Sequence, residues 1–273
     1  MQWVWDQSPL FQVFGHTFRY YGVLYFITFV GAWFLMRWQV VRAGGPDTDA
    51  DRYLVFGMIA TWVGGRLGHM VFYDFAAFSH NPWIFFEFKR GGLASHGAAV
   101  ALAISMWVFS KWRHVSFIEG CDRVSFSVAL GTILVRVGNF MNSEVVGRVT
   151  DQTWGVRFPR YDHVDLAPLR HPSQIYEVVL GCVLMASLVL ADRLAGGEKR
   201  PRGLLISVML TVYFAGRFVV EFFKERQALA DDSFFTMGQI LSFIPFAVGV
   251  VGLVLTFRFR TPAGWGPARP HEP

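Results

Sequence analysis

The 273-residue chain is 53% hydrophobic and 17% aromatic but only 16% charged, where soluble domains carry about a quarter charged residues. That balance, with 28 Phe and 10 Trp, excludes a disordered, collagenous, coiled-coil or solenoid chain. Its charges, a formal +5 in sum, lie between long windows free of Asp, Glu, Lys and Arg: 21–36, 94–109, 124–135, 178–191, 203–216 and 237–257. Stretch 53–75 is also apolar apart from Arg66 and its charged ends. A helix crosses the bilayer with about 20 mostly apolar residues, and irregular backbone cannot face lipid. The windows therefore predict seven helices, at 21–37, 53–75, 94–112, 122–140, 173–191, 203–222 and 237–257. The fold class is an all-α, polytopic integral membrane protein.

In chain order, Met1–Tyr20 contains Asp6 and no early Lys or Arg, so it is not a signal peptide and span 1 is an uncleaved anchor. Segment 82–88 is expected as a short helix lying in the interface, its aromatics among the headgroups. Gly44-Gly45-Pro46 and Gly196-Gly197 read as turns. Segment 140–172 forms a small outer head in which Thr153–Pro159 predicts a short strand or hairpin. Residues 1–260 are read as one membrane domain, and 261–273, rich in Pro and Gly, as a disordered tail. Cys121 and Cys182 lie at or inside spans and read as small packing residues. With the N-terminus outside, 13 of the 25 basic residues fall in cytoplasmic segments, 9 in outer segments and three (Arg66, Arg136, Arg217) inside spans. This bias favours a periplasmic N-terminus and a cytoplasmic C-terminus.

Span parity then gathers the unusual polar groups in one leaflet. They are Arg19, Tyr20 and Tyr21 on span 1; Ser95 and His96 on span 3; Arg136, Asn139 and Asn142 on span 4. Span 5 adds His171, Ser173, Gln174, Tyr176 and Glu177; span 6 adds Arg217 and Glu221; span 7 adds Gln239. An Arg in a span costs roughly 2.5–3.5 kcal/mol on insertion scales and marks a functional hypothesis. Arg136 and Arg217 carry planar forks suited to phosphate or carboxylate. The competing reading pairs Arg217 with Glu221 one turn away. Arg66, in Gly64-Gly65-Arg66-Leu67-Gly68, fits helix packing as well as function. His96, between Ser95 and Gly97, is the natural general base, set against a purely structural histidine. No metal-ligand spacing, nucleophile elbow, phosphate loop or dinucleotide fingerprint is present in the sequence.

At these residues the sequence resembles the bacterial prolipoprotein diacylglyceryl transferases. Five ordered blocks carry the resemblance: Tyr20-Tyr21-Gly22; Gly91 to Gly97; Arg136 to Arg148; Arg170 to Glu177; and Gly216 to Phe222. Thr236 to Gln239 is a weaker sixth. The resemblance implies transfer of the diacylglyceryl group of phosphatidylglycerol to the lipobox cysteine of a preprolipoprotein signal peptide. A thioether forms and glycerol phosphate leaves. It implies an inner-membrane location, no cofactor, no metal, no nucleic-acid partner and a monomer. By position it carries over Tyr21, His96, Arg136, Asn139, Gly147, Arg217 and Glu221. The chain departs from the family at Gly97-Ala98, where two glycines are usual, and after Glu221, where Phe222 to Arg226 replaces the common continuation. An anion or lipid transporter using the same arginines is the alternative; the absence of paired repeats in the sequence weighs against it.

Overall fold

A computed structural model of the chain describes residues 3–87, 92–225 and 234–266. In chain order the strands and helices are β1 (Trp3–Val4), β2 (Leu10–Val13), β3 (His16–Arg19), α1 (Tyr20–Arg42), α2 (Thr48–Tyr73), α3 (Phe75–His80), α4 (Ser95–Arg113) and α5 (Phe117–Met141). There follow β4 (Val156–Arg157), α6 (Pro159–Asp162), β5 (Leu169–Arg170), α7 (Ser173–Leu194), α8 (Leu204–Val220) and α9 (Met237–Phe259). Among the described residues, six helical segments are long and apolar enough to cross a membrane: α1, α2, α5, α7, α8 with its 3-10 extension to Phe223, and α9. Seven were expected. The remaining one, α4, has 19 residues and carries Ser95, His96, Ser105, Ser110 and Lys111, which dilute its apolar character.

The described residues fall into two compact units, one within 1–35 and 124–262 and the other within 36–123 and 263–273. In the first unit, Phe126, Ala129, Leu184, Leu188 and Leu205 make a buried core among α5, α7 and α8. Close helix approach there rests on small residues: a Cβ on Gly216 would lie 2.1 Å from Leu180, and one on Gly249 would lie 2.7 Å from the Thr211 backbone. The head contains the predicted strand as β4, which pairs antiparallel with β5. It also pairs parallel with β1, a partner the local sequence does not announce. Trp5, Phe140, Val146, Val156 and Phe158 pack beneath this small sheet.

In the second unit α2 and α4 touch along the Gly64-Gly65-Arg66-Leu67-Gly68 stretch. A Cβ on Gly64 would meet the Gly97 carbonyl at 2.6 Å, and one on Gly68 the Gly97 Cα at 2.8 Å, so only glycines permit the seam. Arg66 is buried and caps backbone carbonyls: its Nη2 donates to Ile84 O at 2.7 Å and Glu87 O at 2.9 Å, and its Nε to Phe85 O at 3.1 Å. The expected interfacial helix is observed as a 3-10 turn, Pro82–Phe86; Phe88 lies outside the described residues. Helix α5 starts five residues before the expected 122, because Glu119 and Arg123 pair one turn apart inside it and remove the charge that set the expected boundary. The expected tail is tied down at its start: Arg202 N donates to Thr261 O at 2.7 Å, and Trp265 Nε1 to Asp49 Oδ2 at 2.9 Å. Residues 267–273 lie outside the described residues.

Candidate functional site

The first unit brings six of the seven sequence-derived residues together: Tyr21, Arg136, Asn139, Gly147, Arg217 and Glu221. Near the C-terminal end of α5, Arg136 Nη1 donates to Asn139 Oδ1 at 3.1 Å and its Nε is ion-paired with Glu177 on α7. Glu177 is buried, and its second oxygen binds Lys224 Nζ at 3.0 Å. Lys224 in turn reaches Glu221 Oε2 at 3.6 Å. Arg217 interacts with Glu177, Glu221 and the Tyr213 hydroxyl. Tyr21 on α1 lies near Arg136 and Glu144 and packs against Gly138, where a Cβ would stand 2.8 Å from its ring. Asn139 and Asn142 donate to the two oxygens of Glu144, at 3.3 and 3.1 Å.

Two backbone devices hold this network. Gly147 is wedged between two chain segments: a Cβ there would lie 2.4 Å from His171 O and 2.6 Å from Phe223 O. Its N–H donates to His171 O, Arg148 N–H donates to Phe223 O, and the Arg148 guanidinium donates to Lys224 O at 2.9 Å. Gly147 also forms an antiparallel bridge with Lys224. Glu221 lies over the first turn of α9, where Gly238 leaves room for its carboxylate; a Cβ would meet it at 2.4 Å. The positive end of the helix favours an anion at that place. The α9 start is itself fixed by a reciprocal cap, Gln239 N to Thr236 Oγ1 at 3.2 Å and Thr236 N to Gln239 Oε1 at 3.0 Å.

Three cations (Arg136, Arg217, Lys224) thus meet two carboxylates (Glu177, Glu221), with Glu144 joined to Arg136 through Asn139, so the arginines are pre-positioned by fixed opposite charge. Arg136 commits Nε and Nη1; among the described residues its Nη2 has no hydrogen-bond partner, leaving a fork edge for an anion. Glu177, Lys224, Glu144 and Tyr213 were not among the expected site residues. Glu177 was visible as a buried acid at the head of an apolar run, and Lys224 as the i+3 neighbour of Glu221. Their partners are distant in sequence, so spacing alone does not pair them.

His96 belongs to the second unit, in the first turn of α4. Its ring stands edge-to-face against Phe72 at 4.8 Å, with Tyr73 at 5.9 Å. Its Nε2 is buried with no hydrogen-bond partner among the described residues. The loop leading to it turns at Gly92, whose φ of +82° places the backbone directly against His69; a Cβ there would lie 2.3 Å from that ring. Gly91, from the same sequence block, lies outside the described residues. Among the described residues no group of three His, Cys, Asp or Glu side chains is placed to hold a metal ion.

Long apolar helices that hold a pre-paired arginine cluster define a multi-pass membrane protein with a candidate anion site. Sequence comparison goes further: the chain belongs to the prolipoprotein diacylglyceryl transferase family, whose model matches residues 8–255. It is therefore a transferase of lipoprotein biosynthesis. It is similar to a protein from Legionella pneumophila strain Philadelphia 1, 34% identical over 237 residues, covering 85% of this chain and 90% of that one. Proteins from Chloroherpeton thalassium (37% over 258 residues, 93% of each chain) and Oleidesulfovibrio alaskensis (38% over 246 residues, 87% of each) are also similar. All three are named phosphatidylglycerol–prolipoprotein diacylglyceryl transferase.

Proposed function

We propose that this chain transfers the diacylglyceryl group of phosphatidylglycerol to the lipobox cysteine of a preprolipoprotein, and that Arg136 and Arg217 hold the lipid phosphate. The observation that carries the reading is the chain Asn139–Arg136–Glu177–Lys224–Glu221, which presents an arginine with an uncommitted donor edge inside an apolar helical unit.

In this reaction the cysteine sulfur attacks the glycerol carbon bonded to the phosphate oxygen. The carbon–oxygen bond breaks as the carbon–sulfur bond forms, and glycerol phosphate departs with the electron pair. Negative charge grows on the leaving phosphate, where fixed guanidinium groups in a water-poor site act more strongly than in water. A thiol, with an ordinary pKa of about 8.5, is mostly protonated near neutrality. It must lose its proton as it attacks. His96, whose buried Nε2 has no partner among the described residues, is the base we assign, and Tyr21, beside Arg136 and Glu144, is assigned to the arginine cluster. Asn139 and Glu221 orient the arginines, and Gly147 keeps Lys224 in place.

The enzyme works as a monomer in the bacterial inner membrane. Residues 1–260 act as one membrane domain of seven spans, with a periplasmic N-terminus and head and a cytoplasmic C-terminus. The 13-to-9 division of basic residues supports that orientation. The test of function is direct: purified chain is incubated with phosphatidylglycerol and a lipobox peptide, and the peptide is weighed by mass spectrometry. A gain of one diacylglyceryl group on the cysteine, with release of glycerol phosphate, is expected; an unmodified peptide overturns the reading. A reporter fused after Pro273 should signal from the cytoplasm.

A further inference from the structure

The outer head carries an open surface pocket, apart from the arginine cluster yet built on the same backbone. Its volume is about 740 Å³, within the usual size of a ligand pocket, and Thr150, Asp151, Gln152, Trp154, His171 and Phe223 line it. His171 and Phe223 also supply the carbonyls that bind Gly147 N–H and Arg148 N–H. The pocket and the ionic network thus share two strands of chain.

The hydrogen bonds of its wall run in one direction. Trp154 Nε1 can only donate, and it donates to the Tyr176 hydroxyl at 3.0 Å. Among the described residues the only acceptor for the tyrosine's own proton is His171 Nδ1, also 3.0 Å away. With the tyrosine donating to Nδ1, we assign the imidazole hydrogen to Nε2, where it can donate to a bound ligand. Burial lowers the His171 pKa, against the pull of Asp151, which agrees with a neutral ring. Phe223 stacks edge-to-face on both His171 and Tyr176, at 5.2 and 5.6 Å, and fixes the aromatic walls.

Charge decides the occupant. Asp151 is the only formally charged side chain among the lining residues, so the cavity repels a phosphate that the arginine cluster attracts. Its polar side chains, its imidazole donor and the exposed Trp154 face suit an uncharged or cationic peptide. We propose that this pocket binds the peptide segment that follows the acceptor cysteine of the prolipoprotein, with His171 Nε2 donating to a peptide carbonyl and Trp154 packing on a side chain. The proposal rests on the transferase reading above for the identity of the peptide.

Two measurements test it on the full-length protein in phosphatidylglycerol nanodiscs. First, a lipobox peptide carrying a benzophenone residue two positions after the cysteine is photo-crosslinked to wild-type protein. Labelling is expected within 149–154, at His171 or at Phe223. Labelling confined to other segments, or labelling that soluble glycerol phosphate abolishes, overturns the proposal. Second, kcat/KM is compared for a peptide extended four residues beyond the cysteine and one ending at it. Wild type should favour the extended peptide by about tenfold. In Trp154→Ala that ratio should collapse to about one, and Trp154→Phe should restore most of it. An equal ratio in wild type and Trp154→Ala overturns the proposal. Failure of the transferase reading looks different: wild type then gives no diacylglyceryl product with either peptide, whatever the crosslinking shows.

Discussion

Arg123 and Arg136 sit on one helix, α5, and both are removed from water, but they are held in different ways. Arg123 is completely enclosed. Its Nε donates to Glu119 Oε1 at 2.7 Å, and its Nη1 donates to both the backbone and the side-chain oxygen of Gln39 at 3.2 Å. Arg136 keeps 14% of its side chain exposed and spends Nε on Glu177 and Nη1 on Asn139. The first arrangement closes on itself; the second leaves a donor edge open. Buried charge alone therefore does not mark a site. At Arg136 neighbours hold two nitrogens of a guanidinium that stays partly exposed, and at His96 a buried Nε2 has no partner among the described residues.

The largest effect should come from the open imidazole. His96→Ala is expected to lower turnover by about 10²–10⁴-fold, the range of a positioned acid–base group. The protein should remain folded, because the side chain makes ring contacts with Phe72 and Tyr73 and no hydrogen bond through Nε2. Wild-type turnover per folded molecule would remove His96 from the mechanism and place it with the closed groups.

The closed arginine should report on stability instead. Arg123→Met strands the Glu119 carboxylate in a dry site, a change that costs about 3–5 kcal/mol when one partner of a buried pair is lost. The double variant Glu119→Met, Arg123→Met removes both charges and should recover most of that loss. Thermal unfolding in detergent measures the first quantity, and turnover per folded molecule should match wild type in the double variant. A double variant that folds well but does not turn over would break the distinction between closed and open charge.

Arg136→Ala and Arg217→Ala should each lower turnover by about 10²–10³-fold, the usual cost of losing one fixed transition-state donor. Arg→Lys should not restore full rate, because an ammonium cannot match two phosphate oxygens with a planar fork. The competing view of Arg217, as a structural partner of Glu221, makes the opposite forecast. There a double Arg217→Met, Glu221→Met variant recovers activity. Recovery to near wild type at matched folded amounts would sink phosphate binding by Arg217.

The extent to which these features are legible in the sequence follows from how local each one is. Charge-free windows mark helices because the lipid requirement acts on every residue of a span, so α1, α7, α8 and α9 fall within a few residues of their expected positions. Parity along the chain assembles Tyr21, Arg136, Asn139, Arg217 and Glu221 without any structure. The pairing of Arg136 with Glu177 and the bridge through Lys224 depend on contacts between segments far apart in sequence. The β1–β4 pairing is hidden for the same reason: two residues of strand carry no pattern of their own. The early start of α5 was within reach, since Glu119 and Arg123 stand at the i,i+4 spacing that lets a helix carry charge into a buried site. A span boundary drawn at the nearest charge misses a charge that is already neutralised.

The smallest effect concerns the head, where an open group titrates. Burial lowers the His171 pKa from the ordinary 6.5, while Asp151 opposes the shift. The sign follows from proton counting: below about pH 6.5 the unfolded chain binds a proton that the folded chain resists, so stability falls with acidification through that value and levels off below the lowered folded pKa. Protonation also turns Nδ1 into a donor, and the Trp154–Tyr176–His171 chain then loses its acceptor. The imidazole is only partly buried, so the change in stability should be slight and more visible locally than globally. Trp154 fluorescence should report it as a transition centred below pH 6.5 that leaves the helical circular-dichroism signal unchanged. His171→Gln keeps polar capacity at that position without titrating, and it should abolish the transition. Persistence of the same fluorescence transition in His171→Gln would assign it to Asp151 or to another group and would leave the imidazole outside the hydrogen-bonded wall.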